Sequence, residues 1–307
     1  MKGIVFKSTG SWYSVRLQEG TFIDCRIRGK FKLAKLQVTN PIAVGDKVVV
    51  EHDPAHEGTG IITEIEPREN YVMRKSVHKA EKGHLIASNI DRAILIVTLH
   101  HPRTSLGFID RFLVTTDSFR IPTTLVFNKA DLLSKEDLEE VKYISFIYEE
   151  IGINTLLISA KEGTGIEELR KVIEGQVTLL SGHSGTGKST ITNKLIPHKK
   201  QKIGLVSEAV KKGIHTTTFA EMFEIDQNTW LIDTPGIKEL GLIDIGDHEL
   251  SDYFPEMRAL LGQCRFNNCS HTHEPKCAVI EALENGEIAP SRYESYISML
   301  ENEDSRR

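Results

Sequence analysis

The sequence lacks any apolar run of the roughly 20 residues needed to span a bilayer, and its N-terminus lacks the basic-then-apolar layout of a signal peptide. It has only four cysteines, too few to hold 307 residues together by disulfides. With 23 glycines, 10 prolines and 39% hydrophobic residues, it is neither collagen-like nor intrinsically disordered. We therefore expect a globular, cytoplasmic protein that has no membrane partner and is long enough for more than one domain.

Acidic residues are scarce at the N-terminal end of a chain that is acidic overall. Residues 1–35 hold eight basic and two acidic side chains, a net charge of +6, whereas the whole chain has a net charge of -5. A basic module on an acidic body suggests a polyanionic partner, although a solvated strand face would carry the same charges. Four aromatic residues interleave with the bases and would either stack on nucleotides or fill a core: Trp12, Tyr13, Phe22 and Phe31.

Helical periodicity is absent from residues 1–65, which alternate apolar and polar positions in short runs separated by glycines. Four or five strands without a helix indicate a small barrel, and an OB-type barrel presents a strand face and loops to nucleic acid. We assign residues 1–67 to an OB-fold RNA-binding domain. Residues 68–85 are charged, show little periodicity and are interpreted as a linker.

Buried strands alternate with helical segments from residue 86 to about residue 240, which is typical of a parallel sheet covered by helices on both faces. Strand signals then stop, and residues 241–307 carry a cysteine and histidine cluster followed by an acidic helical tail. The predicted fold is therefore multidomain, with an all-β OB-type barrel, a central α/β domain over 86–240 and a mainly α domain over 241–307.

A glycine-rich loop follows the apolar strand predicted over 177–180 and leads into a helix-compatible run. Glycines allow backbone N–H groups to turn toward phosphates, and the helix N-terminus adds positive potential. Lys188 would reach the β and γ phosphates, and the Ser189 hydroxyl would bind Mg²⁺. The predicted phosphate-binding residues are Gly182, His183, Ser184, Gly185, Thr186, Gly187, Lys188, Ser189 and Thr190.

The choice of base is predicted from two loops that each follow a strand, Asn128-Lys129-Ala130-Asp131 and Ser159-Ala160-Lys161. The Asp131 carboxylate can accept two hydrogen bonds from guanine, whereas adenine would leave it unpaired. Asn128 would bridge the phosphate loop and the purine, and the Lys129 stem would cover the base. Backbone N–H groups of the second loop could meet guanine O6. The predicted guanine-binding residues are Asn128, Lys129, Asp131, Ser159, Ala160 and Lys161.

The γ-phosphate sensors are expected after the phosphate loop. Asp233 ends a predicted strand and would hold Mg²⁺ through water, and the Gly236 amide would sense the γ-phosphate. One of the three threonines at 216–218 should also reach Mg²⁺, and we favour Thr217. An isoleucine stands where Ras-like enzymes have the glutamine that orients water. His215 is the candidate to position that water or accept its proton, although packing of the loop or contact with RNA would also explain it.

The base-recognition motifs precede the phosphate motifs in this chain, whereas they follow them in ordinary small GTPases. A circular permutation accommodates the same sheet. In this motif order the chain resembles the ribosome small-subunit-dependent GTPase A family of bacteria. The resemblance implies an N-terminal OB domain, a circularly permuted GTPase domain and a C-terminal zinc domain. It also implies GTP hydrolysis to GDP, stimulated by the small ribosomal subunit and its rRNA during late maturation, and supports a catalytic role for His215.

A metal site is predicted where three of the four cysteines cluster with a histidine. The spacing Cys264-x4-Cys269-x-His271-x5-Cys277 offers the Cys₃His set of a closed, structural Zn²⁺ site with no open position for catalysis. His273 is a competing ligand, but the family pattern matches His271. The expected cofactors are thus one structural Zn²⁺ and the Mg²⁺ that accompanies GTP.

Nothing in the sequence points to an obligate dimer, so we expect a monomer. Two other functions stay open at this point. One is an RNA-binding P-loop module whose nucleotide site is structural. The other is a P-loop ATPase or small-molecule kinase, which the loops at 128–131 and 159–161 disfavour.

Overall fold

The structure, a computed structural model, describes residues 1–27, 40–75, 83–196, 220–233, 245–246 and 248–301. Its strands are β1 (Lys2–Ser8), β2 (Tyr13–Leu17), β3 (Phe22–Ile27), β4 (Lys47–His52), β5 (Thr59–Ile65), β6 (Tyr71–Lys75), β7 (Gly83–Ser88), β8 (Arg92–Val97), β9 (Thr123–Phe127), β10 (Asn154–Leu157), β11 (Val177–Gly182), β12 (Glu221–Asp226) and β13 (Thr229–Asp233). Its α-helices are α1 (Leu106–Ser118), α2 (Lys135–Glu150), α3 (Ile166–Ile173), α4 (Lys188–Leu195), α5 (Pro255–Arg258), α6 (Ala278–Glu284) and α7 (Pro290–Leu300).

Strands β1 to β5 close into a barrel. β1 pairs antiparallel with both β2 and β4, β2 pairs with β3, and β5 lies between β3 and β4. Alternate residues such as Val5, Val15 and Ile62 fill its interior. The predicted barrel is confirmed, but the sequence pattern does not single out β1. Its alternation is broken because Val5 packs inside the barrel and the adjacent Phe6 packs against the α/β domain.

The linker predicted over residues 68–85 has to be corrected, because strands β6 and β7 form an antiparallel hairpin there. Val72 and Ala87 of this hairpin are buried in the core of the α/β domain. Just before it, the Arg68 guanidinium donates to both carboxylate oxygens of the fully buried Asp46 at 2.6 and 2.7 Å. The segment is therefore attached to barrel and α/β domain alike. The sequence does not show this hairpin clearly, because a short pair of strands offers few buried positions.

The α/β domain contains a sheet in the order β10-β9-β8-β11-β13-β12, parallel except for the β12–β13 pair. One face packs on α1 and α2 through residues such as Leu95 and Phe112. The other packs on α3 and α4 through residues such as Ile94 and Ile191. Both faces are covered, as the sequence predicts for a parallel sheet. β12 also pairs with β1 at Glu221 and Lys7, so the domain sheet continues into the barrel.

The C-terminal part is helical where it is described. A 3₁₀ turn at Leu250–Tyr253 precedes α5, and these elements pack with α6 and α7 around Phe254 and Tyr296. Val114 of α1 belongs to the same core, so the helices rest on the α/β domain. The mainly α prediction is confirmed. Among the residues that the structure describes, no helix is both long and apolar enough to cross a bilayer.

Candidate nucleotide site and metal centre

The predicted phosphate loop joins the end of β11 to the start of α4. Gly182, Gly185 and Gly187 have φ values of 140°, 86° and 100°, which L side chains rarely adopt. A Cβ on Gly187 would lie 2.2 Å from Nδ2 of Asn128, and one on Gly182 would lie 2.6 Å from the Ile96 carbonyl oxygen. Glycine is therefore required here both for backbone conformation and for space. This is the tight turn that lets backbone N–H groups face a phosphate.

Lys188 is folded over this loop. Its ammonium donates to the carbonyl oxygens of Gly182 at 2.6 Å and His183 at 2.7 Å. Burial lowers the pKa of Lys188, an effect that the carboxylate of Asp233 opposes. The Thr186 hydroxyl, fully buried, also donates to the His183 carbonyl at 2.8 Å. The loop thus holds one cation at the N-terminus of α4, where phosphate oxygens would bind.

Asn128 connects the phosphate loop to both base-side loops. Its amide nitrogen donates to the Thr186 carbonyl at 2.8 Å, and its amide oxygen accepts from the Ala160 N–H at 3.0 Å. Asn128 is buried. The Ala160 amide, one of those expected to meet guanine O6, is therefore engaged by Asn128. Three loops that are far apart in the sequence form one site.

Asp131 is arranged as an ionised acceptor at the base end of this site. Ser159 donates its hydroxyl to Oδ1 at 2.7 Å, and the Lys161 ammonium lies 3.8 Å from Oδ2. The Ser159 hydrogen bond, with a smaller contribution from Lys161, holds the pKa of Asp131 below its ordinary value although burial opposes this. Lys129, in the left-handed region at φ 71°, donates its ammonium to the carbonyl of His101 in the loop after β8. A carboxylate so placed suits guanine N1–H and its 2-amino group.

The residues predicted to hold Mg²⁺ lie beside the loop as far as the structure describes them. Asp233 ends β13 and is paired in register with Leu180 of β11, two residues before the loop begins. Ser189 is the second residue of α4. A hydroxyl and a carboxylate are oxygen ligands of the kind that Mg²⁺ prefers, so these residues fit the ion. Thr217 and the other two threonines, His215 and Gly236 lie outside the described residues.

The four predicted zinc ligands come together. The ligand atoms of Cys264, Cys269, His271 and Cys277 lie within 4.8 Å of one another. The Cys264 and Cys277 sulfurs are 3.9 Å apart, and the His271 Nδ1 lies 3.6 Å and 3.3 Å from them. A tetrahedral Zn²⁺ with ordinary bond lengths separates two sulfurs by about 3.8 Å and a sulfur from a nitrogen by about 3.6 Å. The donor set and spacing therefore fit zinc. Burial raises the pKa of the Cys269 thiol to about 12, so the thiol keeps its proton when no metal is bound. A bound metal would take the place of that proton.

Supporting side chains around this centre were not anticipated from the sequence. Glu274 accepts from the Ser270 N–H at 2.7 Å and hydroxyl at 2.6 Å, and from the Thr272 N–H at 3.1 Å. Burial would raise the pKa of Glu274, but these hydrogen bonds hold it well below its ordinary value. Tyr293 donates to the His271 carbonyl at 2.8 Å. His273 is exposed and contacts the Thr272 hydroxyl at 2.8 Å instead of the cysteines. The sequence signal for this arrangement is Glu274, which stands close to the hydroxyl residues Ser270 and Thr272 in the loop that carries the predicted ligands.

The basic side chains of the barrel lie close to acidic ones. The described bases of residues 1–27 each lie near a carboxylate: Lys2 near Glu66, Lys7 near Glu221, Arg16 near Glu224 and Arg26 near Asp53. Tyr13 is buried in the barrel core, whereas Trp12 and Phe22 are 40% and 57% exposed. Arg26 also lies 5.2 Å above the Trp12 ring. Tyr13 therefore fills the core, whereas stacking of Trp12 and Phe22 on nucleotides stays a prediction. Phe31 and the bases at 28–35 lie outside the described residues.

Comparison with known proteins places this chain among relatives over its full length. A family model described as RsgA GTPase matches residues 65–243, and one described as RsgA N-terminal domain matches residues 2–62. The small ribosomal subunit biogenesis GTPase RsgA of Cytophaga hutchinsonii is 51% identical over 307 residues, covering 100% of both chains. The protein of the same name from Flavobacterium psychrophilum is 50% identical over 305 residues, covering 99% of this chain and 94% of its own.

Two solved structures are similar in fold. YjeQ from Thermotoga maritima superposes with a TM-score of 0.77 at 35% sequence identity, covering 100% of this chain and 99% of its own. YloQ, described as a circularly permuted GTPase, has a TM-score of 0.74 at 26% identity, covering 100% and 96%. The predicted permuted order of the motifs is confirmed by this likeness.

Proposed function

The chain belongs to the RsgA GTPase family and is a GTP-hydrolysing enzyme, and we propose that it acts on the small ribosomal subunit, whose presence stimulates hydrolysis during late maturation. Its relatives carry the name small ribosomal subunit biogenesis GTPase. The main support for a GTP site is the pair of hydrogen bonds made by the Asn128 side chain. They join the base-side loops to the phosphate loop. A guanine and a chain of phosphates can therefore be bound at once.

The described residues have distinct tasks in binding GTP. The loop amides from Gly182 to Thr190 surround the phosphates, and Lys188 exchanges its two carbonyl partners for phosphate oxygens. At the other end, Asp131 accepts from guanine while Ser159 holds it in position. ATP lacks the matching donors and would leave this carboxylate with the Ser159 hydrogen bond but without the two that guanine provides. GTP is thereby selected over ATP.

We assign Ser189, Thr217 and Asp233 to Mg²⁺ and the Gly236 amide to the γ-phosphate. Mg²⁺, when bound, neutralises charge on the β and γ phosphate oxygens. His215 positions the attacking water and accepts its proton near neutral pH. The support for these assignments is the place of Asp233 beside β11 and the motif order, together with the family resemblance.

The two flanking domains provide the contacts with the particle. We propose that the barrel binds rRNA through its exposed Trp12 and Phe22, on which bases can stack. Cys264, Cys269, His271 and Cys277 hold one structural Zn²⁺ that keeps the C-terminal helices folded. The domains would comprise residues 1–67, 86–240 and 241–307, and the segment 68–85 between the first two holds β6 and the start of β7. The protein acts as a cytoplasmic monomer.

The test is GTP hydrolysis by the purified protein alone, with small subunits, with large subunits and with assembled ribosomes. Lys188→Ala is the blank, because it removes the phosphate-binding cation. We expect strong stimulation by small subunits and a weaker response to the other particles. Slow turnover unchanged by any particle would keep the enzyme and overturn the ribosomal partner. Turnover no faster than the blank under every condition would instead indicate an RNA-binding protein with a structural nucleotide site.

A further inference from the structure

A row of charged residues runs across three adjacent strands from the barrel to the Mg²⁺ end of the nucleotide site. Lys7 of β1 is the register partner of Glu221 of β12, and Glu221 is the register partner of Asp233 of β13. Directly paired residues of a sheet point to the same face. The adjacent Phe6 and Met222 lie in the core on the opposite face of the sheet, which agrees with this assignment. The three side chains therefore share one face.

The row consists of one cation followed by two neighbouring carboxylates, in the order Lys7, Glu221 and Asp233. Two carboxylates directly opposite each other on neighbouring strands repel. The Lys7 ammonium lies 4.0 Å from Oε2 of Glu221 and offsets that repulsion from the barrel side. Both side chains are partly exposed, 48% and 39%, so solvent weakens but does not abolish the interaction. Glu221 is thus the charge that connects a barrel residue to the predicted magnesium carboxylate.

We propose that Glu221 is a positioning residue for Mg²⁺·GTP binding, acting through Asp233, and that Lys7 of the barrel sets the strength of its effect. The proposal rests on the function assigned above. The Glu221 carboxylate adds negative potential at the end of β13 and so favours the cation, while Lys7 opposes it. The barrel thereby tunes the nucleotide site without touching nucleotide.

Removing the charge of Glu221 and removing the charge of Lys7 should shift the Mg²⁺ dependence of nucleotide binding in opposite directions. Glu221→Gln removes negative charge near the ion and should raise the Mg²⁺ concentration for half-maximal nucleotide binding about two- to five-fold. Lys7→Met removes the opposing cation and should lower it about two-fold, the effect being smaller because Lys7 is one strand further away. Loss of an ion pair that merely held barrel and domain together would move both variants in the same direction.

The same interface offers a matched control. Arg16 of the barrel lies 3.3 Å from Glu224 of β12, and Glu224 is paired with Trp230, three residues from Asp233. Trp230 and Met222 pack on the opposite face of the sheet from Asp233, and Glu224 shares their side. Arg16→Met and Glu224→Gln therefore remove another ion pair between the barrel and β12, with Arg16 on β2 and Glu224 on the face away from Asp233. We expect neither to change the Mg²⁺ dependence.

The experiment is a Mg²⁺ titration of a fluorescent, slowly hydrolysed GTP analogue with the full-length protein, monitored by fluorescence and not by turnover. The inference is supported by shifts of opposite sign for Glu221→Gln and Lys7→Met with none for the control pair. Shifts of equal sign, or of equal size in the control pair, would overturn it. Failure of the unaltered protein to bind the analogue at any Mg²⁺ concentration would instead overturn the proposed function itself.

Discussion

Replacing the buried Arg292 by methionine should be one of the most destabilising single changes in the C-terminal helices. Its guanidinium donates to Asp110 of α1 at 2.6 Å and to Glu256 of α5 at 2.7 and 3.1 Å. Arg292 and Asp110 are 2% and 0% exposed. The pair therefore fixes α7 to α1, and any movement that separated these two helices would have to break it.

The size of the stability loss depends on the environment of Asp110 once Arg292 is replaced. Asp110 keeps the Tyr148 hydroxyl, which donates at 2.8 Å, but loses its cation in a site that water does not reach. Removing one partner of a buried ion pair costs about 3–5 kcal/mol. Arg258→Met is the control, because Arg258 makes a 2.7 Å ion pair with Asp117 of α1 with both side chains more than 40% exposed. That exposed pair contributes about 0–1 kcal/mol.

The stability loss of Arg292→Met should also depend on pH, and the burial of Asp110 determines whether it grows or shrinks as pH rises. Burial already raises the pKa of Asp110 although Arg292 opposes it, so the substitution raises that pKa further. The folded variant then retains a proton that the unfolded chain releases near pH 4. The pKa of Asp110 is already above its ordinary value in the unaltered protein, so the stability of the variant relative to that protein falls as pH rises through the interval between the two folded-state pKa values. The penalty at pH 8 should exceed the penalty at pH 5.

Urea unfolding followed by circular dichroism measures these differences. At a slope of about 2–3 kcal/mol/M, a loss of 3–5 kcal/mol moves the midpoint down by about 1–2.5 M. The Arg258→Met midpoint should stay within about 0.5 M of the unaltered protein. A shift for Arg292→Met as small as that of Arg258→Met would show that the buried pair contributes no more than the exposed one. Equal shifts at the two pH values would show that Asp110 does not gain a proton in the variant.

Three further changes test the sites. Gly187→Ala should reduce GTP affinity more than about 10-fold in equilibrium binding, since its Cβ would lie 2.2 Å from the Asn128 amide, whereas Gly152→Ala, also at positive φ but facing open space, should not. Asp131→Asn should weaken GTP binding about 100-fold and improve binding of a xanthine nucleotide, whose 2-oxo group accepts from the new amide; unchanged base preference would refute this role. Metal analysis should find one zinc per chain and none in Cys269→Ser, which should also lose helical circular dichroism; full zinc content in the variant would refute the ligand assignment.

Local motifs were predictable from the sequence because their chemistry is contained in a few consecutive residues. The phosphate loop needs glycines at fixed offsets before Lys188, and the zinc ligands need cysteines within one short segment. The strands that precede the nucleotide-binding loops were equally predictable from the sequence, because both of their faces are buried. These roles stay predictions at the level of individual residues, whereas the fold that brings the residues together agrees with the expectation.

Features that depend on distant pairing were not predictable. The Arg292 and Asp110 pair joins two domains, and the row from Lys7 through Glu221 exists only because the chain brings β1 next to β12. A single sequence without pairing information does not reveal such partners. β1 itself was obscured because its two faces pack into different cores. The hairpin β6–β7 was not predictable because so short a pair of strands offers few buried positions.

The central claim is that the loops joined by Asn128 form one guanine-specific site for hydrolysis. The most direct measurement is phosphate release from GTP and from ATP at equal concentration, with small subunits present and with Lys188→Ala as the blank. We expect release from GTP well above the blank and release from ATP close to it. Equal release from both nucleotides would contradict the role assigned to Asp131 and, with it, the guanine-specific site.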